Sequence, residues 1–137
     1  MTSCNTSAPQ TVYYGQIVGL VIRGRRQLQE IDLATMAARV GRSVSGWSRV
    51  ETGDTAPTVV HLKKAARALG IEPAVLLRHA DEIVDNLIAG GVSVENDRPR
   101  GAPVLTGSAL LALLQAPGGL VLPETDRAPV EPQNAVR

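Results

Sequence analysis

The sequence predicts an all-α fold, and three observations carry that prediction. Apolar residues make up 44% of the 137 residues, yet Phe is absent and Tyr and Trp number two and one, so any core is aliphatic and alanine-rich, a helix-favouring composition. Apolar side chains recur at helical spacing in several segments of the first ninety or so residues. Capping residues, glycines and prolines punctuate those segments where helices should start and stop. At this length one main domain is expected.

Residues 1–11 are polar, with Pro9 near their end, and are expected to form a flexible N-terminal arm. A first helix is predicted over 12–28, where Val18, Val21 and Ile22 fall at helical spacing and Arg23, Arg25 and Arg26 arrive where a helix C-terminus favours cations. Gly15, Gly19 and Gly24 each cost that helix about 1 kcal/mol relative to alanine. Asp32 can cap a second helix, LATMAARV, whose Leu33, Met36, Ala37 and Val40 form the apolar face before Gly41 ends it. Ser43 can cap a third, VSGWSRVE, which Gly53 closes. Helix, tight glycine-containing turn and short helix make a helix-turn-helix pattern.

Thr58 announces a fourth helix, VVHLKKAARAL, with Val59, Leu62, Ala66 and Leu69 inward and Gly70 as its stop. Pro73 suits the first turn of a fifth, whose Leu76, Ala80, Ile83, Val84 and Leu87 form one stripe ahead of Gly90 and Gly91. The predicted five-helix domain therefore spans 12–91. Beyond it, VSVEND alternates like a short strand, RPRGAP is a linker and TGSALLALLQ makes a brief capped helix. Residues 92–116 are expected to be a dimerisation or interaction segment, with Leu77, Ile83, Leu87 and Ile88 of the fifth helix and Leu110, Leu111, Leu113 and Leu114 as the apolar surface. Deleting 92–137 should then weaken dimerisation more than folding. Residues 117–137, with four prolines and no apolar period, are expected to be a disordered tail.

The net charge of +1 hides an asymmetry. Residues 11–80 hold ten Lys/Arg against five Asp/Glu, and residues 81–137 hold four against eight, so the front half points to an anionic partner such as nucleic acid. No apolar run is long enough to span a membrane, and MTSCNTSAPQ lacks the basic start and apolar stretch of a signal peptide, so a cytoplasmic protein is expected. Cys4 is the sole cysteine, which excludes an intramolecular disulfide. His61 and His79 lie apart without cysteines or a paired ligand motif and are read as surface or satisfied histidines, with no metal. No nucleophile has an evident base partner and no glycine-rich strand-to-helix loop cradles a phosphate, so neither an enzyme nor a cofactor is expected.

Over residues 15–77 the chain resembles the lambda-repressor-like helix-turn-helix family, the Cro/phage-repressor or xenobiotic-response-element type. The marks are VGLVIRGRR with Gly19, Ile22 and Arg26; MAARVG with Met36, Ala37 and Gly41; SRVETG with Ser48, Glu51 and Gly53; then Pro57, Leu62 and AARALGI. The resemblance implies that Glu51 meets Arg26 across the domain, that Ala37 lets the second and third helices approach, and that Gly41 supplies the turn. It also implies that Trp47 occupies a position that packs against the second helix. The chain departs from the family at Val44 and Leu33, where glutamine is frequent, and at Gly46, where a polar residue is usual.

Each helical residue advances by about 100°, so Val50 and Glu51 return to the face of Trp47 while Ser45 and Arg49 fall nearly opposite. With Trp47 inward, Val44, Ser45, Ser48 and Arg49 are the candidates for base contacts, Arg49 foremost because a guanidinium can bond both O6 and N7 of guanine. Arg42, Ser43, Thr52, Lys63 and Lys64 are the candidates for phosphates, Ser43 and Thr52 together with backbone amides at helix starts. The expected function is that of a sequence-specific DNA-binding transcriptional regulator, a repressor in preference, acting as a homodimer on palindromic sites. The alternative is an antitoxin or adaptor whose acidic, proline-rich C-terminal half binds a protein partner.

Overall fold

The computed structural model describes residues 11–114. The first ten residues and the expected tail over 117–137 lie outside the described residues. The elements run β1 (Thr11–Tyr13), α1 (Tyr14–Leu28), α2 (Leu33–Val40), α3 (Val44–Thr52), α4 (Val59–Leu69), α5 (Pro73–Ala89), β2 (Ser93–Glu95) and α6 (Gly107–Leu114). Caps that are local in sequence form as their residue types dictate. The Asp32 carboxylate accepts from Thr35 N at 2.7 Å, the Ser43 hydroxyl from Gly46 N at 3.0 Å, and Thr58 Oγ1 from His61 N at 3.1 Å. Gly41, Gly53 and Gly70 end α2, α3 and α4 at φ of 83°, 92° and 75°, a region that favours residues without Cβ.

The core is aliphatic, as composition requires. Ile17, Val18, Val21 and Ile22 of α1 meet Met36 and Val40 of α2, Val50 of α3, Leu69 of α4 and Leu76 and Ile83 of α5, all buried. At Gly19, α1 approaches α3 so closely that a Cβ there would lie 2.3 Å from the Val50 carbonyl oxygen. Its cost in helix propensity is thus offset by an approach between backbones that no side chain permits. Val59 does not join the α4 stripe: it stands exposed in the first turn, and Ala65 takes its place beside Ala66 and Leu69 in the core.

Near the N-terminus the boundaries differ from the expected ones. The first helix starts at Tyr14, because Thr11, Val12 and Tyr13 form a strand that pairs in parallel with Ser93, Val94 and Glu95. Thr11, expected at the end of the arm, therefore belongs to that strand. Such a pair needs a long crossover, which the five helices supply. The strand legible in VSVEND had no visible partner, since TVY is too short to show alternation.

The segment after α5 folds back on the helical domain. Leu110 and Leu114 are buried in the same core, each worth about 1.5–3 kcal/mol of apolar burial. Buried Gln16 donates to the Leu105 carbonyl at 2.6 Å, and Arg98 Nη1 donates to the Asp54 carbonyl at 3.0 Å. Of the apolar residues expected to serve an interface, Ile83, Leu87, Leu110 and Leu114 face this chain's own interior, whereas Ile88 and Leu111 are exposed. The helical period on α5 and α6 feeds an intramolecular contact. At the start of α1, the Tyr14 hydroxyl donates to Asp81 Oδ1 at 2.7 Å. Burial first, then that hydrogen bond and the carboxylate charge, push the phenol well above its ordinary pKa.

Candidate nucleic-acid interface

The helix α3 is oriented by its inward face. Trp47 is 0% exposed, its ring edge-to-face with His61 at a centroid separation of 6.0 Å and an interplanar angle of 82°. Its indole Nε1 donates to Glu51 Oε2 at 2.8 Å, one helical turn on. The same carboxylate receives Arg26 Nε at 2.9 Å and Arg26 Nη2 at 3.0 Å, while Arg26 Nη1 donates to the Ile31 carbonyl at 2.7 Å. A buried carboxylate with three charge-assisted or indole donors therefore ties α3 to α1. Ala37 of α2 is also buried, and Gly41 makes the turn.

With that face held, the opposite one is set. Val44, Ser45 and Arg49 are exposed, Val44 at 47%, and Ser48 is half-buried at the edge. Among the described residues, no partner holds the Arg49 guanidinium. That surface offers one forked cation, one hydroxyl and one methyl-bearing side chain to solvent.

The five phosphate candidates do not form one group. Arg42 and Ser43 lie in the turn before α3, and the Ser43 hydroxyl is already engaged as the cap. Thr52 stands at the end of α3 rather than at a helix start, half-buried, with its hydroxyl donating to the Arg49 carbonyl at 3.2 Å. Its expected place at a helix start is corrected: α3 runs through to residue 52, and the hydroxyl bonds to its own last turn. Lys64 reaches toward Gly41, with Nζ 3.8 Å from where a Cβ on that glycine would lie. Lys63 points elsewhere, to a groove of about 710 Å³ between α4 and α5 that it lines with Arg25, Arg67 and Arg78. Adjacent positions on a helix differ by about 100°, which is enough to separate the two lysines.

One residue that the sequence left as a satisfied histidine belongs to this neighbourhood. His61 Nε2 lies 2.6 Å from Arg42 Nη1, and Thr58 N donates to His61 Nδ1 at 3.1 Å, completing a capping box at α4. Burial first, then the charges of Arg42 and Lys64, hold the imidazole below its ordinary pKa. The Thr58-to-His61 spacing was a usable signal for the cap. Nothing in the sequence links His61 to Arg42, nineteen residues away. Gly46 also acquires a reason: a Cβ there would lie 2.9 Å from Ser43 Oγ and 3.1 Å from Arg42 Nη2, so the glycine leaves room for the arginine to lie over the first turn of α3.

Comparison with known proteins follows the same outline. The sequence profile of the helix-turn-helix domain matches residues 17–80. Among solved structures, the clp gene regulator ClgR from Corynebacterium glutamicum is similar over 57% of this chain and 83% of its own, at 22% identity and a TM-score of 0.54, a likeness of fold. The restriction-modification controller protein C.AhdI from Aeromonas hydrophila is 31% identical over 44% of this chain and 92% of its own, with a TM-score of 0.43. The DNA-binding domain of the P22 C2 repressor is 33% identical over 46% of this chain and 83% of its own, also at 0.43. No curated protein sequence matches the chain.

Proposed function

Residues 17–80 make this chain a member of the helix-turn-helix domain family, and on that premise we propose that it is a sequence-specific DNA-binding transcriptional regulator. The observation that carries the reading is α3: one face is locked to the core through Trp47 and Glu51, and the other presents Val44, Ser45 and Arg49 to solvent. In a major groove Arg49 reads guanine through O6 and N7, Ser45 bonds a base edge and Val44 touches a thymine methyl. Arg42 and Lys64 flank that helix and serve the phosphate backbone, with Lys63 as an outlying charge. The reading includes no catalysis, cofactor or metal, and the site of action is the DNA of the cytoplasm.

One domain of this kind touches few base pairs, so a two-fold dimer on palindromic half-sites completes the reading. The surface best suited to it is an apolar groove of about 470 Å³ lined by Leu20, Leu28, Leu111 and Leu114, at which Leu28 is 74% exposed. Repression is the simpler outcome, since occupying a promoter requires no further machinery. A different protein docking on the same groove is the second reading, favoured by the exposure of Leu28 and Leu111 there.

Binding to genomic DNA fragments, titrated with salt, tests the proposal. Affinity should fall steeply as salt rises, and Arg49→Ala should remove about 1–3 kcal/mol of sequence preference while leaving much of the non-specific affinity. Binding indifferent to both salt and Arg49 overturns it.

A further inference from the structure

The seat formed by Arg42 and His61 beside the first turn of α3 has a feature that free protein chemistry does not satisfy. A neutral imidazole has one lone pair to offer, yet both ring nitrogens of His61 face N–H donors, Thr58 N at 3.1 Å from Nδ1 and Arg42 Nη1 at 2.6 Å from Nε2. With Nδ1 accepting from Thr58 as the capping box requires, Nε2 carries its hydrogen toward the guanidinium and two donors converge on one point. At 2.6 Å the two nitrogens leave no room for an oxygen on the line between them, but an anionic oxygen beside them, with the flexible Arg42 side chain swung aside, accepts from both.

The charges around His61 point the same way. From the turn before α3 comes Arg42, from its own helix Lys64, and from the cap the backbone amide of Thr58. Trp47 presents a ring from α3, and the nearby Glu51 carboxylate is taken by Arg26 and Trp47. Among the described residues, no carboxylate offsets the two cations at the imidazole. Arg42 and His61 are both only half-buried, so the seat opens to solvent.

Resting on the DNA-binding reading above, we propose that Arg42 Nη1 and His61 Nε2 together seat one backbone phosphate of DNA, with Lys64 as the outer charge, and that His61 thereby links affinity to pH. An anion placed there offsets the two cations that disfavour imidazolium; the second proton enters at Nδ1 and displaces the bond from Thr58 N in bound and free states alike, so the bound state holds it at a higher pH than the free state does. By linkage, affinity rises as pH falls through the interval between the two midpoints.

The experiment is the affinity of the full chain for a random-sequence DNA duplex at fixed ionic strength from pH 7.5 to 5.5, in the wild type and in His61→Gln, which keeps a capping-box side chain at that position. The wild type should gain at least about threefold more affinity across the range than His61→Gln, one proton setting a ceiling of about tenfold per pH unit. Equal pH slopes in two folded proteins overturn the inference while leaving DNA binding intact. Absence of binding at every pH overturns the functional reading and this inference with it. Should His61→Gln fail to fold, histidine NMR titration of the wild type decides: the His61 midpoint should rise on adding the duplex, and an unchanged midpoint overturns the seat.

Discussion

Replacing Arg26 by alanine tests the most consequential buried contact. The side chains of Arg26 and Glu51 are 10% and 3% exposed, and the guanidinium meets both carboxylate oxygens, at 2.9 and 3.0 Å. Removing it strands a buried carboxylate with Trp47 Nε1 as its remaining side-chain donor, and a buried charge left without its partner costs about 3–5 kcal/mol. For a folded unit near a hundred residues, the melting temperature should then drop by about 12 °C or more. Thermal unfolding followed by circular dichroism reads this directly. The partner variant is Arg26→Met with Glu51→Gln, which removes the stranded charge while leaving an acceptor for the indole. It should recover much of the loss. An Arg26→Ala melt within a few degrees of wild type refutes the reasoning, and a double variant as unstable as the single one refutes the assignment of the cost to a stranded charge.

Other outcomes follow from the same structure. Gly19→Ala forces α1 and α3 apart at the Val50 carbonyl and should cost about 1–3 kcal/mol in chemical denaturation, whereas propensity alone would make it stabilising. Trp47, fully buried, should show acrylamide quenching that is low in the native protein and unchanged when DNA is added; strong protection on binding would mark it as a base-stacking residue instead. Leu110→Ala should destabilise the fold by about 2–5 kcal/mol, and truncation after residue 91 should lower the melting temperature as well as any dimer affinity. The Asp32 carboxylate is held below its ordinary pKa, mainly by the Thr35 backbone amide. Its contribution is therefore present above the unfolded pKa and lost as pH falls through the folded one, so acid unfolding should be less steep in Asp32→Asn.

How much of the site could be read beforehand follows from how far each contact reaches along the chain. The inward position of Trp47 was legible through the family resemblance, and the helical wheel running on from the Ser43 cap then set the faces of its neighbours, all within a few residues. The exposure of Val44, Ser45 and Arg49 followed from it. The grouping of Thr52, Lys63 and Lys64 was not legible, because one residue's shift at a helix end and about 100° between neighbours send these side chains to different places. Likewise Leu110 and Leu114 read as interface or core with equal ease, since an apolar stripe does not say whose core it enters.

By itself, the sequence determined the five helices, their caps and stops, and the outward face of α3. These depend on hydrogen bonds and periodicities that close within one or two turns, where residue type alone sets the energy. The tertiary structure alone decided the β1–β2 pairing, the inward turn of α6, the need for glycine at 19, and the meeting of Arg42 with His61. Each joins segments far apart in sequence, and its energy exists only after the core has brought them within contact distance.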